Sequence, residues 1–486
     1  MIALMRCVLL AVLLALLAGP LAAVEVSVQG AQVLLFPLYH ASSERSTLFA
    51  IENRDSVPKA VLIRLREQRN GRPVLTFNLY LGSHDLWTAA IASDPTTEAP
   101  LLITTDESCT APALYRSETY RGRIGLRPFE YSGANRDTGP EDLARARVGF
   151  IEAIDLGALD PAGELATLVN QQSAGTCGAL VARFAPGAPW AVNALAGFLP
   201  PRGGLSGFST LIDVAAGTSW AIPVTSLAGF RDRPGHADPA HGITLADATG
   251  PDPDWLDAWV QTAQGRMRYQ FPKSRAIDAI SAVLMSESLT TQYTIESELG
   301  AQSELVLSFP TKWAYTDQVL TPAGAIPPFQ SLFQQNAARF TVNGTVADDD
   351  RIWSRASCLL SVNSIWSCDD VGFLPPPSPP LPTLSGSVTS ISMNATGATP
   401  SGLIPEFRVQ DRTSIPVRGR ISIGLRRPLD EESAGPLELR PDRQGRILKG
   451  LPVLGVHLQS ARYDNASSYW LGSYGIARAL QPAGQE

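Results

Sequence analysis

Four cysteines, Cys109, Cys177, Cys358 and Cys368, carry the most definite chemistry in this chain, and a fifth, Cys7, lies inside an apolar N-terminal run. An even number of thiols in an exported chain points to two disulfides, for which three connectivities exist. Cys358–Cys368 would close a short loop, with Cys109–Cys177 as the second bond. Zinc would call for paired short spacings of the C-x-x-C kind, and none occurs.

The five histidines are His40, His84, His236, His241 and His457. His236 and His241 bracket Asp238 in the loop HADPAH, a weak metal-ligating set whose spacing matches no established ligand signature. His84-Asp85 could close a catalytic triad, yet no G-x-S-x-G elbow supplies a nucleophile, so His84 reads as a turn residue between strands. Carboxylates gather at Asp348-Asp349-Asp350, at Asp369-Asp370 and at Asp252, Asp254 and Asp257. Calcium is the cofactor such hard oxygen clusters could take, but the glycine and terminal glutamate of an EF-hand loop are missing. The expectation is therefore charged surface loops and no cofactor. Among the tryptophans, Trp255 and Trp259 stand four apart with Asp257 between them. On a short helix over 255–262 they would share one face, as a platform for stacking sugar rings or as core.

These residues sit in a chain that reads as exported. Arg6 precedes an apolar run from Val8 to Leu17, then Gly19-Pro20 and Leu21-Ala22-Ala23. That is the charged, apolar and small-residue order of a signal peptide over 1–23, too short to span a bilayer. Cleavage is expected between Ala23 and Val24, where no cysteine offers a lipidation site. With Arg6 removed, 38 basic residues face 46 acidic ones, a net charge of −8. A modest acidic excess argues against a nucleic-acid partner. No later stretch is apolar enough to span a membrane.

The mature chain alternates with period two, so strands must position these groups. Residues 32–40, 46–52, 59–67 and 74–81 read as four successive strands. Asn53-Arg54-Asp55 and Arg69-Asn70-Gly71 are turns, the second a hairpin signal. In KAVLIRLRE, Arg64 and Arg66 alternate with Ile63 and Leu65, which predicts one buried and one solvated face in an antiparallel sandwich. Further strands are expected at 147–156, 208–214, 219–224, 291–296 and 304–309, and later at 386–393, 418–426, 452–459 and 469–477. Helices are expected at 274–286, with Ser274 as N-cap, at 160–170 and at 255–262. The organisation is a main β-rich region over 24–370, a polyproline linker or loop over 371–385 and a C-terminal β region over 386–486 that could pack on the main region.

Several blocks in order, VLLFPLYH, STLFAIEN, AVLIRLREQRNGRPVLTFNLYLGSHDLWTAAI, RVGFIEAIDLG, AISAVLM, SFPTKW, GLPVLGVHLQ and YWLGSYGIA, resemble an uncharacterised group of exported proteobacterial proteins described only as hypothetical or cell-surface proteins. The resemblance covers most of the mature chain in patches and carries no functional residues. The first 70 or so mature residues also look like the immunoglobulin-like modules of periplasmic pilus chaperones, a likeness of fold only. The expected fold is mainly β, with one or two immunoglobulin-like antiparallel sandwiches, long inserts and a few short helices. The expected function is that of a non-enzymatic envelope or cell-surface protein with a structural, adhesive or assembly role, secreted or periplasmic. Its partners would be other envelope proteins or glycans. A secreted polysaccharide hydrolase and a glycan-binding module are the alternatives.

Overall fold

The computed structural model of the chain describes residues 23–115, 117–215, 217–335, 337–338, 343–347, 352–354, 384, 386–393, 418–425, 437–462, 469–475 and 477–479. The leader-like segment 1–22, Cys358, Cys368, Asp348–Asp350, Asp369-Asp370 and the polyproline stretch lie outside the described residues.

The strands are β1 (Val24–Val26), β2 (Ala31–His40), β3 (Arg45–Asn53), β4 (Lys59–Glu67), β5 (Pro73–Leu81), β6 (Leu86–Ser93), β7 (Pro100–Ile103), β8 (Cys109–Ala111) and β9 (Arg123–Gly125). They continue as β10 (Val148–Leu159), β11 (Phe198–Leu199), β12 (Leu205–Asp213), β13 (Thr218–Ile222), β14 (Thr225–Ala228), β15 (Trp255–Thr262), β16 (Gly265–Pro272), β17 (Met285–Ser286), β18 (Ser288–Thr294) and β19 (Gln302–Ser308). After these come β20 (Asn343–Ala347), β21 (Ile352–Ser354), β22 (Val388–Ser392), β23 (Arg418–Gly424), β24 (Leu451–Pro452), β25 (Leu454–Arg462), β26 (Tyr469–Gly475) and β27 (Ala477–Ala479). Five α-helices are described, α1 (Glu164–Gln171), α2 (Ala174–Ala182), α3 (Pro189–Val192), α4 (Ala276–Leu284) and α5 (Trp313–Thr316). The fold is mainly β with few short helices, as expected. Among the described residues no helix is long and apolar enough to cross a membrane.

A ten-stranded sheet runs β16-β15-β1-β14-β2-β10-β4-β5-β8, with β11 on β10, antiparallel except between β1 and β15. A six-stranded sheet, β13-β12-β3-β6-β7-β9, packs against it. The sandwich core between them is built from alternate residues: Val61, Ile63 and Leu65 of β4, Phe77 and Leu79 of β5, and Phe36, Phe49 and Trp87 in edge-to-face contact. The opposite face of the large sheet is covered too. Ala60, Leu62, Ile154 and Leu156 pack under α1, α2 and α4, and Leu38, Val148 and Phe150 meet Val306, Val388 and Val456 of a further sheet, β22-β19-β25-β26. Strands β22 and β25 flank β19, while β23 and β27 flank β18, so segments from beyond residue 386 share ladders with strands of 288–308.

This third layer overturns the solvated face expected for Arg64 and Arg66. Both are buried, at 4% and 3% exposure, because the face they share with Ala60 and Leu62 is roofed by other elements. Glu152 of β10, fully buried, lies against both, its Oε1 2.8 Å from Arg66 Nε and its Oε2 3.4 Å from Arg64 Nη1. Burial of the cations is tolerable because each is paired and hydrogen-bonded.

The helix expected over 255–262 is instead strand β15. Leu256, Ala258, Val260 and Thr262 are buried while Trp255, Asp257 and Trp259 are not, a period of two, and β15 pairs residue for residue with β16. A spacing of four is even, so it places two residues on one face of a strand as well as of a helix. Helix α4 begins at Ala276 with Arg275 at its N-cap and no side-chain cap, and Ser274 lies in the preceding 3-10 turn. The helix expected from Asp160 starts at Glu164. Helix α2 was unforeseen because AGTCGALVA has small residues and little amphipathic stripe, and its start is fixed by a capping box from Ser173.

Cys109 and Cys177 form a disulfide that ties β8 to α2 across 68 residues of sequence. Closing a loop of that length restricts the unfolded chain, so Cys109→Ala with Cys177→Ala is expected to lower stability by about 3 kcal/mol. Urea unfolding of the two forms checks this, and coincident curves would remove the bond from the account of stability.

Candidate functional site

The hairpin between β4 and β5 builds one wall of a cleft. Gly71, at φ +69°, takes the left-handed position of the turn, which a side chain would strain. Glu67, at the end of β4, accepts the backbone N–H groups of Arg69, Asn70 and Arg72 at 2.6, 2.8 and 2.9 Å. The same carboxylate meets Arg145, which is fully buried, at 2.8 Å from Nε to Oε2, and Arg145 also clamps Asp137 and lies 4.3 Å from the centre of the Tyr131 ring. Asn70 bridges Asp137 and Asp317, and Arg72 grips Asp317 through Nε and Nη2. A continuous buried charge network therefore holds the turn.

Beyond the turn the cleft opens beside β5, with a volume of about 780 Å³, inside the range of ligand-binding pockets. Its walls come from distant segments: Ala111 and Pro112, the stretch from Tyr120 to Glu130, the end of α2 with Val181 and Phe184, the turn 238–244, and Trp313 to Leu320. Three of its arginines are committed. Arg64 donates to the carbonyls of Ile243 and Gly242, and burial, then neighbouring Arg66, pushes its guanidinium down to about 10. Arg66 donates to Gly71 O and sits 4.4 Å over the Trp313 ring. Arg72 donates to Glu130 O besides holding Asp317. Arg127 differs: its backbone N–H binds Val74 O at 2.9 Å, its side chain is exposed, and it has no acid partner among the described residues.

The edge of β5 is open at one point. β8 pairs only with Asn78, Leu79 and Tyr80, and Arg127 occupies Val74. Glu67 N–H bonds Arg72 O, so odd-numbered residues of β4 and their partners 75, 77 and 79 turn toward each other. Thr76 therefore directs its N–H and C=O into the cleft, with no backbone partner there among the described residues. At the mouth Phe129, Val319 and Leu320 are 66%, 72% and 55% exposed. The described lining contains no histidine, cysteine, serine or lysine. The lining also carries two carboxylates without an ion-pair partner among the described residues, Glu130 and Asp238, the latter accepting the N–H of Ala240. Apolar contact, an open cation, these carboxylates and one open backbone pair are the equipment of a binding cleft.

The histidines and carboxylates singled out by sequence lie elsewhere or apart. His236 is 2% exposed, with Nδ1 2.7 Å from Ala194 O and Nε2 3.0 Å from Tyr80 Oη, caged by Trp190, Phe184 and Phe198. Asp238 caps the backbone of Ala240 at the cleft rim, and His241 is exposed. The structure does not bring the three together, and among the described residues no group of three His, Cys, Asp or Glu could hold a metal ion. Asp252 turns onto the N–H groups of Asp254 and Trp255, while Asp257 pairs with Arg268 and Gln270. His84, at φ 53°, occupies the turn between β5 and β6.

Trp255 and Trp259 share the outward face of β15, near one edge of the large sheet. Arg443 lies 4.8 Å over the first ring and Arg266 4.5 Å over the second, so each has a guanidinium on one side. Sequence reasoning passed over Thr76, Arg127, Phe129, Val319 and Leu320. The available signal was the Asn-Gly hairpin with its flanking arginines. No family model matches the chain, and neither does any curated protein or solved structure.

Proposed function

We propose that this chain is an exported, non-enzymatic protein of the cell envelope or surface whose role is assembly: it takes a segment of another envelope protein into the cleft beside β5. The observation that carries this reading is the cleft's mouth, where Phe129, Val319 and Leu320 expose apolar side chains together around a preformed cavity. The leader-like order of residues 1–23 and the Cys109–Cys177 disulfide support an oxidising destination. Three locked arginines make the lining rigid, and a preorganised site loses less conformational freedom when it binds.

A photo-crosslinking residue in place of Phe129, carried by the full chain in its own host, tests the reading. The expected result is one discrete adduct with an envelope protein, recovered from the periplasmic or surface fraction with residues 1–23 absent by intact mass. A cytoplasmic chain that keeps its first 23 residues would sink the proposal, as would turnover of a polysaccharide by the purified protein.

A second reading, glycan binding, is favoured by Trp255 and Trp259 alone. Four residues of strand set them about 13 Å apart on one face, with Asp257, Arg268 and Gln270 between as hydrogen-bonding groups. On a glycan array, Trp259→Ala should abolish any binding that this face supports.

A further inference from the structure

Resting on the assembly reading, we propose that the cleft receives the C-terminal end of a partner polypeptide: its carboxylate on Arg127, its last peptide group on Thr76 and its apolar terminal side chains against Phe129, Val319 and Leu320. The gap on the edge of β5 sets the size of what can enter. Ala111 stands opposite Asn78, and the backbone of Arg127 occupies Val74 O, so one residue position, Thr76, lies open between them. A through-running strand would collide with both neighbours, whereas a chain end can insert and stop. Thr76 offers one N–H and one C=O, the pair that a terminal peptide group satisfies.

Charge complementarity selects the end of the chain. Arg64, Arg66 and Arg72 are already matched by Glu152 and Asp317, and Asp238 is turned onto the N–H of Ala240, which leaves Arg127 and Glu130 as the lining's charges without a partner among the described residues and Arg127 as the group that can take an incoming carboxylate. It is anchored next to Thr76 by its own N–H, so its guanidinium is tethered two residues along β5 from the open backbone pair. A planar guanidinium takes a carboxylate through two parallel hydrogen bonds, which an amide end cannot reproduce. The exposed apolar groups at the mouth complete a site for hydrophobic terminal residues.

Fluorescence anisotropy on the full mature chain provides the test. The probes are fluorescein-labelled hexapeptides ending in Val, Leu, Ile or Phe, each made as the free acid and as the carboxamide. At least one free acid is expected to bind, with its carboxamide weaker by roughly tenfold, the value of one lost charge-assisted contact. Arg127→Gln should weaken the acid by a similar factor and leave the carboxamide unchanged, while Val319→Asp weakens both. Arg127 and Val319 are exposed, and a matched urea midpoint confirms each variant is folded. Equal binding of acid and carboxamide, or an Arg127→Gln chain that binds as the parent does, overturns the proposal. Dodecanoate binding without any peptide binding also overturns it and assigns the carboxylate to a lipid. Failure of every peptide overturns the chain-end mode alone, because the photo-crosslink at Phe129 reports the assembly role independently.

Discussion

Lowering the pH from 7 to 5 is expected to remove about 5 kcal/mol of folding stability, through three histidines buried in the neutral form. Burial, then the nearby cations Arg45 and Arg147, holds His40 at about 3, with Asp213 opposing. Burial holds His236 at about 4, against its hydrogen bond to Ala194, and burial holds His457 at about 4. Their exposures are 1%, 2% and 0%, so solvent screening does little to soften the effect. In the unfolded chain each returns to about 6.5. Between those limits the unfolded chain binds more protons than the native one. Stability is therefore complete above pH 6.5 and falls as the pH drops toward 4, by just under about 2 kcal/mol per histidine at pH 5. Urea midpoints across this range measure it. His236→Phe keeps an aromatic ring in the cage of Trp190, Phe184 and Phe198 and should reduce the slope by one proton. A midpoint that does not move between pH 7 and 5 would show that these imidazoles are solvated in the native state.

Glu67→Ala is expected to cost about 4 kcal/mol, because it breaks a buried ion pair and strips the acceptor from three backbone N–H groups at once. The turn from Arg69 to Arg72 hangs on that carboxylate, and Arg145 would keep only Asp137 as its acid partner inside a fully buried site. The loss should reach the cleft as well, since Asn70 and Arg72 carry the contacts to Asp317. Urea unfolding gives the magnitude. Adding Arg145→Met to Glu67→Ala should cost less than the sum of the two single changes, because the stranded cation is then gone. A loss below about 1 kcal/mol for Glu67→Ala would mean that the turn is held by Gly71 and Asp137 without it.

How much of this was legible in the sequence depends on the range of the interaction. The strands at 59–67, 74–81 and 304–309 follow from a local property, alternation of side chains across a pleated backbone, and they stand where that alternation places them. The hairpin at Asn70-Gly71 is equally local. Thiol parity pointed to disulfides but left three connectivities, and the structure shows the favoured Cys109–Cys177 pair. Helix against strand at 255–262 was not decidable from Trp255 and Trp259, since a spacing of four satisfies both periods, and the partner strand β16 settled it.

The arginines mark the boundary most sharply. KAVLIRLRE determines a strand with two cations on one face, and nothing within it says whether that face meets water. Glu152, more than 80 residues away in sequence, arrives between Arg64 and Arg66 only because β10 lies beside β4, and the layer above then closes over all three. The cleft is likewise a product of assembly. Thr76 is open because β8 stops at Ala111, Arg127 has no acid partner among the described residues while Asp317 is held by Arg72, and the apolar mouth joins Phe129 to Val319 and Leu320 across almost 200 residues. The sequence by itself determined periods, turns and thiol parity, which are properties of neighbouring residues. Only the tertiary structure decided which faces are dry, which charges are matched and where a backbone pair stays free, since each depends on what a distant strand brings alongside.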